Sequence, residues 1–324
     1  MNFIKNDHLG QNLAFNYIEE YEEIHYFEYK DETFRYIQSA KKMPDVDAII
    51  EMADIIYKIN PLLIYNVGAE SLLSDYCTYF TTTACLPCSN EFPVTCSKYL
   101  LVGRMLEERD QDRINHLYDY QQVIETNINY QYPKDNTAYT REGFGISETC
   151  FLMGIIGNRL DSELTEPFVK VIADTLKQHG ESEVVFIGGI EKEERIRKWL
   201  PQTTQVHFLG NTPNGGEALR LCDLYLNPVR QGGGRSSFEA LYFGVPVVTL
   251  KQGDVYYTSG KSFGVDTLQQ MKETITQYII DDAFYKTKSR EAMDRANQLA
   301  DIKGTLKKAI DEIMIREERE NGKK

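Results

Sequence analysis

The chain has 324 residues, enough for two domains of ordinary size, with 42% hydrophobic and 26% charged residues, a globular composition. No apolar run approaches the roughly 20 residues of a membrane-spanning helix, and the first residues, MNFIKNDHLG, have no apolar core like that of a signal peptide. A net charge of −13 argues against nucleic-acid binding, which rests on Lys and Arg neutralising phosphates, yet leaves room for a small anion in a local positive pocket. The expectation is a cytoplasmic protein, with contact at the inner membrane face left open.

In chain order, the first half predicts an α/β domain with few strands. Residues 24–29 alternate as a strand would, and 46–59 carry Ile49, Ile50, Ala53 and Ile56 at helical spacing. Residues 61–67 read as a buried strand ending at Gly68, 71–76 as a helix start and 78–85 as another strand. Asp45 and Asp47 imitate a metal-binding acidic pair, but acids directly before a helix favour its dipole. The six cysteines are expected to be free thiols. Cys85 and Cys88 have the spacing of half a zinc site, and no second tight ligand pair accompanies them. Many of the 21 tyrosines fall in this half, whose interior should be correspondingly polar. The stretch 126–140, rich in Asn, Tyr and Thr, reads as a linker.

The second half is more regular. Short apolar strands over 151–156, 183–188, 205–209, 223–226 and 245–250 alternate with helical patterns over 164–176, 191–200, 217–222 and 236–243. This predicts a parallel, doubly wound sheet with ligands beyond the carboxyl ends of its strands. Helices follow over 268–280, 283–299 and 306–317, and the end, REERENGKK, is expected to fray. The domains read as 1–145, 146–300 and a terminal helix and tail over 301–324.

The run NPVRQGGGRSSFEALYFGVPVVTL, residues 227–250, places three glycines before a helix. Bare amides at a helix N-terminus, beside the positive end of its dipole, suit a phosphate. Arg235 adds a cation and Ser236 and Ser237 add hydroxyl donors. Glu239, one turn on, would repel phosphate and suits sugar hydroxyls instead. The spacing is not that of a Walker loop, since Arg235 stands where its lysine would, nor of the dinucleotide fingerprint, whose third glycine is Ser237 here. Arg159 follows the first strand of the same half. Loops after different strands of a parallel sheet meet at one edge, so Arg159 is expected to point at the same ligand.

The stretches IIGNRLDSEL, VHFLGNTPN, CDLYLNPVRQGGGRSSFEALYFGVPVVTL and DTLQQMKETITQYIIDDAFYKTKSREAMDRA resemble the donor-binding domain of GT-B-fold glycosyltransferases, in particular the O-GlcNAc-transferase-like and group 1 enzymes. The resemblance covers a little under half the chain. It implies an α/β fold of two Rossmann-like domains, the first one short, with C-terminal helices. It also implies an enzyme transferring a hexose or N-acetylhexosamine from a UDP-linked donor to a protein or glycan acceptor, with no metal or other cofactor. By the same resemblance Asn158 and Arg159 bind the diphosphate, and Gly233, Gly234, Arg235, Ser236 and Ser237 cradle it from the other side. Glu239 takes the ribose, and the backbone at Gly210, Asn211 and Thr212 meets the base. Because the diphosphate is the leaving group, these contacts would be catalytic too. One departure is Gln231, where the retaining enzymes often carry the first of two glutamates. Another is the short acceptor domain, which is either reduced or lacking an N-terminal piece. A general base is expected from the loop 66–71, with Glu70 foremost and Asp75 and His25 as alternatives. Two rival readings are a UDP-sugar 2-epimerase and a non-catalytic partner subunit of a glycosyltransferase complex.

Overall fold

The computed structural model describes residues 3–6, 13–16, 25–29, 31–38, 45–68, 71–132, 139–201 and 204–322. The chain divides into two compact units, residues 1–127 with 309–324 and residues 128–308.

Unit 1 holds two antiparallel hairpins, β1 (Phe3–Asn6) with β2 (Leu13–Asn16) and β3 (Tyr26–Tyr29) with β4 (Glu32–Arg35). Its main sheet is parallel, in the order β5 (Ile64–Val67), β6 (Thr83–Leu86), β7 (Tyr99–Val102) and β8 (Gln122–Glu125). The helix Val46–Ile59 starts at Asp45, whose side chain accepts from the Ala48 amide at 2.8 Å; the acidic pair is therefore a cap, as its position before a helix implies. The buried stripe of that helix runs through Ala48 and Ala53, while Ile50 faces outward, contrary to the predicted apolar face. Residues 78–82, expected to begin a strand, form the turn that leads into β6. Strands β7 and β8 were not legible in the local pattern.

The last helix, Ile302–Asn321, corrects the expected frayed end. Ile313 is fully buried among Ala84, Tyr99, Leu101 and Ile124. Beyond it, Tyr99 donates its hydroxyl to Glu317 at 2.9 Å, and Lys98 pairs with Glu317 and Glu320 at 2.6 Å each. Arg316 donates to the Val123 carbonyl at 3.2 Å. The charges that make this segment look like a solvated tail are the groups that dock it on the ends of β7 and β8. Ile313→Val removes one methyl from this contact and is expected to lower stability by about 1 kcal/mol, read by urea unfolding followed by circular dichroism. An unchanged midpoint would show that the helix does not contribute to the unit's core.

Unit 2 begins earlier than the predicted boundary near residue 145. The Tyr130 amide and the Asn129 side chain both donate to the Leu299 carbonyl, at 3.1 and 2.8 Å. Arg141 binds the Leu221 carbonyl at 2.9 Å and Asp223 at 2.8 Å. From residue 128 on, the described part of the expected linker thus belongs to this unit.

The sheet of unit 2 contains β9 (Phe151–Ile156), β10 (Ser182–Ile187), β11 (Val206–Gly210), β12 (Leu224–Leu226), β13 (Val247–Leu250) and β14 (Gly264–Val265). All pairings are parallel, and the order is β11-β10-β9-β12-β13-β14. Counted within the unit, that is the doubly wound order 3-2-1-4-5-6, whose direction reverses between its first and fourth strands. Alternate residues feed two cores. Met153, Ile155, Val184, Phe186 and Leu224 pack with the helices Glu166–Gln178 and Leu268–Ile280. Leu152, Val185, Ile187, Tyr225 and Val247 pack on the other face with Gly234–Tyr242, Gly253–Ser259 and Asp282–Ala300. Covering both faces is what makes these strands near-continuous apolar runs in the sequence. It also leaves the carboxyl ends of β9 and β12, at the reversal, as the place where ligands of such sheets bind.

Candidate active site at the strand-order reversal

Two loops leave the sheet at the reversal. The first, after β9, runs Gly157-Asn158-Arg159 into the short turn Leu160–Glu163. The second, after β12, runs from Asn227 to Gly233 and enters the helix Gly234–Tyr242. They meet: a β-carbon placed on Gly232 would lie 3.6 Å from Arg159 Nη2. Arg159 is more than half exposed, with Nε 3.4 Å from Glu163 Oε1, and Asn158 beside it is exposed. The sequence predicted this convergence from the rule that loops after different strands of a parallel sheet meet at one edge.

The first bond within the helix is from the Ser237 amide to the Gly233 carbonyl, at 3.0 Å. The amides of Gly234, Arg235 and Ser236 precede it and stand outside the helix's own ladder. Gly233, with φ of +105°, turns the chain into the helix in a left-handed conformation that favours glycine. A β-carbon there would also press on Arg230, 2.8 Å from Nη2. Gly234 is small for a different reason than the one expected: Tyr130 and Thr258 pack on it, and a β-carbon would fall 2.9 Å from Thr258 Oγ1. Packing, not the approach of a phosphate, fixes that position.

Three side chains predicted to join the cradle are placed as follows. Ser236 is half-buried and its hydroxyl makes none of the hydrogen bonds found among the described residues, so it is available. Ser237 is fully buried, with its hydroxyl donating to the Val255 carbonyl at 3.5 Å, which removes it as a ligand donor. Arg235 lies along its own helix, donating to Glu239 Oε1 at 2.7 Å and to the Gln131 carbonyl at 3.1 Å, so its guanidinium does not serve the glycine loop here. Glu239 itself is largely buried, held between Arg235 and the Gly215–Ala218 turn, where a β-carbon on Gly216 would lie 3.1 Å from Oε1 and overlap Oε2.

That turn continues the loop after β11. The Gly210 carbonyl accepts from the Gly188 amide at 2.8 Å and from Thr212 Oγ1 at 3.3 Å. Asn211 stands against Gly189, 3.2 Å from where a β-carbon would sit. The chain then crosses the ends of β9 and β10 to bring Gly216 to Glu239. Gly210 and Asn211 thus stand against the end of β10, and Gly216, later in the same loop, stands against Glu239.

The sequence reading missed Arg230. Its guanidinium is almost fully buried beneath the loop and donates to Glu163 at 2.9 Å, to Asn227 at 2.8 Å and to the Tyr225 hydroxyl at 2.5 Å. Burial opposes its charge, yet Tyr225 and Glu163 outweigh burial and hold its pKa above the ordinary arginine range. Glu163 belongs to the first loop and Arg230 to the second, so this pair ties the two together from below. Its only sequence signal was a cation two residues ahead of the glycines.

Of the candidate bases, Glu70 lies outside the described residues. Asp75 caps the turn after it in space, accepting from the Cys96 amide at 2.8 Å and from the Thr95 hydroxyl. His25 is exposed, and its carbonyl accepts from the Tyr36 amide at 2.7 Å. Among the described residues no three or more His, Cys, Asp or Glu side chains are grouped to hold a metal ion. Cys85 is buried beside Asn66, and burial pushes its thiol up to about 11. Among the described residues no helix is long and apolar enough to cross a membrane.

Residues 153–281 match the family model described as glycosyl transferases group 1. No curated protein matches the chain. Among solved structures it is similar to Anabaena Alr3699/HepE, with 14% identity, a TM-score of 0.56 and coverage of 83% of this chain and 81% of that one. It is similar to a Rickettsia africae glycosyltransferase at 11% identity and a TM-score of 0.62, covering 85% and 83% of the two chains. It is also similar to the Thermobaculum terrenum O-GlcNAc transferase at 14% identity and a TM-score of 0.59, covering 81% of this chain and 54% of that enzyme. The chain has the GT-B fold of these structures, and its residues 153–281 match the group 1 glycosyltransferase model.

Proposed function

We propose that the protein transfers a hexose or N-acetylhexosamine from a UDP-linked donor to a protein or glycan acceptor, without a metal ion. The observation that carries this is the meeting of Arg159 with the glycine loop at the reversal of strand order, 3.6 Å from the Gly232 β-carbon position. A guanidinium close to a glycine loop and three amides outside the helix ladder suit a diphosphate, and they would stabilise the charge that grows on it as the glycosidic bond breaks. Glu239, already held by Arg235, offers its carboxylate to ribose hydroxyls, with Gly210, Asn211 and Thr212 beside it for the base. The HepE structures contain UDP with glucose, and UDP-glucose.

Calorimetry with UDP in the presence of a chelator tests this. Binding is expected, weakened by roughly tenfold or more in Arg159→Ala and in Glu239→Ala, the loss of one charge-assisted contact each. Unchanged affinity in both variants overturns the assignment. The capping of Asp75 favours a second reading, a non-catalytic partner subunit, because it removes one candidate base. Release of UDP from labelled UDP-sugars by the isolated chain excludes that reading; release only when a glycosyltransferase subunit is added supports it.

A further inference from the structure

A cavity of about 1210 Å³ opens in unit 1. Most of its wall is formed by residues that lead into the strands: the turn 78–82 before β6, Cys96 and Lys98 before β7, and residues 118–120 before β8 with Gln122 at its start. The sheet is parallel, so all of these lie at the amino ends of the strands. Ligands of such sheets bind at the carboxyl ends. The cavity is therefore not this unit's share of a strand-end crevice, and it uses none of the donor-loop residues of unit 2.

Four tyrosines surround it, with Tyr79 87% exposed, Tyr118 61%, and Tyr76 and Tyr120 45% each. Single exposed aromatics are ordinary, but four around one cavity are not. The rings are ordered: Tyr118 and Tyr120 are parallel to within 4° at 5.6 Å, and the Tyr120 hydroxyl donates to the Cys96 carbonyl at 3.1 Å. Tyr76 and Tyr79 form an edge contact at 6.1 Å.

The charges of the cavity are largely consumed within it. Lys98 is held between Glu317 and Glu320. Glu320 also accepts from Gln122 at 2.6 Å, and Asp75 caps the turn at Cys96. An anionic ligand would find its cation already paired and would meet carboxylates. A basic peptide would find Asp119 exposed and Glu320 partly exposed but already paired with Lys98 and Gln122, too little to select it. What remains is aromatic face with a rim of hydroxyl and amide groups. That suits an uncharged molecule with C–H faces and hydroxyl edges, which is a sugar ring. The volume exceeds the roughly 300–1,000 Å³ usual for small-molecule sites, so it holds several linked rings.

We propose that this cavity binds an uncharged oligosaccharide, with its rings stacked on Tyr79, Tyr118 and Tyr120. The full chain is titrated by calorimetry with neutral oligosaccharides of glucose and of N-acetylglucosamine. Saturation-transfer NMR then reads which sugar protons touch aromatic rings. Binding is expected, with saturation passing from tyrosine ring protons to sugar C–H groups. Tyr79→Ala and Tyr118→Ala should each weaken it by roughly tenfold, the worth of one aromatic contact. Both side chains are mostly exposed, so circular dichroism and thermal midpoint should not move, and UDP affinity should be unaffected. The proposal is overturned if neither sugar series binds, or if binding survives both tyrosine changes. It is overturned equally if an arginine-rich peptide binds more tightly than any oligosaccharide, or if the wild-type chain self-associates and Tyr79→Ala abolishes this. Loss of UDP binding with intact oligosaccharide binding would count against the donor site alone.

Discussion

Arg230→Ala is expected to lower the stability of unit 2 by about 3–5 kcal/mol, because it leaves a buried carboxylate without its partner. Glu163 is 10% exposed, and its remaining cation, Arg159, stands 3.4 Å away and is itself mostly in solvent. The Tyr225 hydroxyl and the Asn227 carbonyl oxygen lose their donor in the same step. For a unit of this size each kcal/mol moves the midpoint by about 2–4 °C, so calorimetric melting should shift down by roughly 10 °C. Arg230→Lys should recover little, since one ammonium cannot reach three acceptors that a planar fork satisfies together. Arg230→Met combined with Glu163→Gln should recover much of the loss, because the buried charge is then gone from both loops. A single Arg230→Ala shift under about 2 °C would show that the pair contributes no more than an exposed one. UDP affinity should fall in Arg230→Ala even at temperatures where the variant is folded, since the loops carrying Arg159 and the glycines are no longer joined.

That prediction rests on a residue invisible to sequence reasoning, and the reason is physical. A cation in a run of glycine, proline and serine has the look of a solvated loop charge. Only the fold shows that Glu163, sixty-seven positions earlier, closes beneath it. The strands of unit 2 were legible because most are buried on both faces and so read as apolar runs, and the helices between them because their apolar positions recur at helical spacing. The order of those strands is not encoded in any one of them; the expected convergence came from the rule that loops after the strands of a parallel sheet share an edge, and Arg159 lies near the glycine loop at Gly232. Ser237 and Arg235 were assigned by residue type, and type does not say which way a side chain turns. Ser237 falls on the inward face of its helix, and Arg235 finds a carboxylate one turn along. The end of the C-terminal helix, expected to fray, escaped for a similar reason. Its acids look solvated until Lys98 and Tyr99, more than two hundred residues distant, are seen to take them up.

Gly188→Ala is expected to be the most damaging single methyl in unit 2. Gly188 ends β10 with φ of +120°, in a region that L side chains rarely adopt, at a cost of about 1–2 kcal/mol. A β-carbon there would overlap the Gly157 carbonyl oxygen and lie 3.0 Å from its carbon, and these are backbone atoms that no rotamer change can move aside. Overpacking of that kind costs about 1–3 kcal/mol more. Relief requires Gly157 to shift, and Gly157 is bonded through its amide to the Ile187 carbonyl at 3.0 Å and begins the loop that carries Arg159. The strain therefore runs into the candidate site. Thermal melting should fall by about 6–15 °C, and UDP affinity should fall further than in Arg159→Ala, because the whole loop moves. Gly180→Ala is the control: it has no positive φ and nothing within 4 Å of the new methyl, so it should stay within about 0.5 kcal/mol of the parent. If Gly188→Ala melts and binds UDP like Gly180→Ala, the close approach of β10 to the Arg159 loop is wrong, and with it the geometry from which the donor site was built.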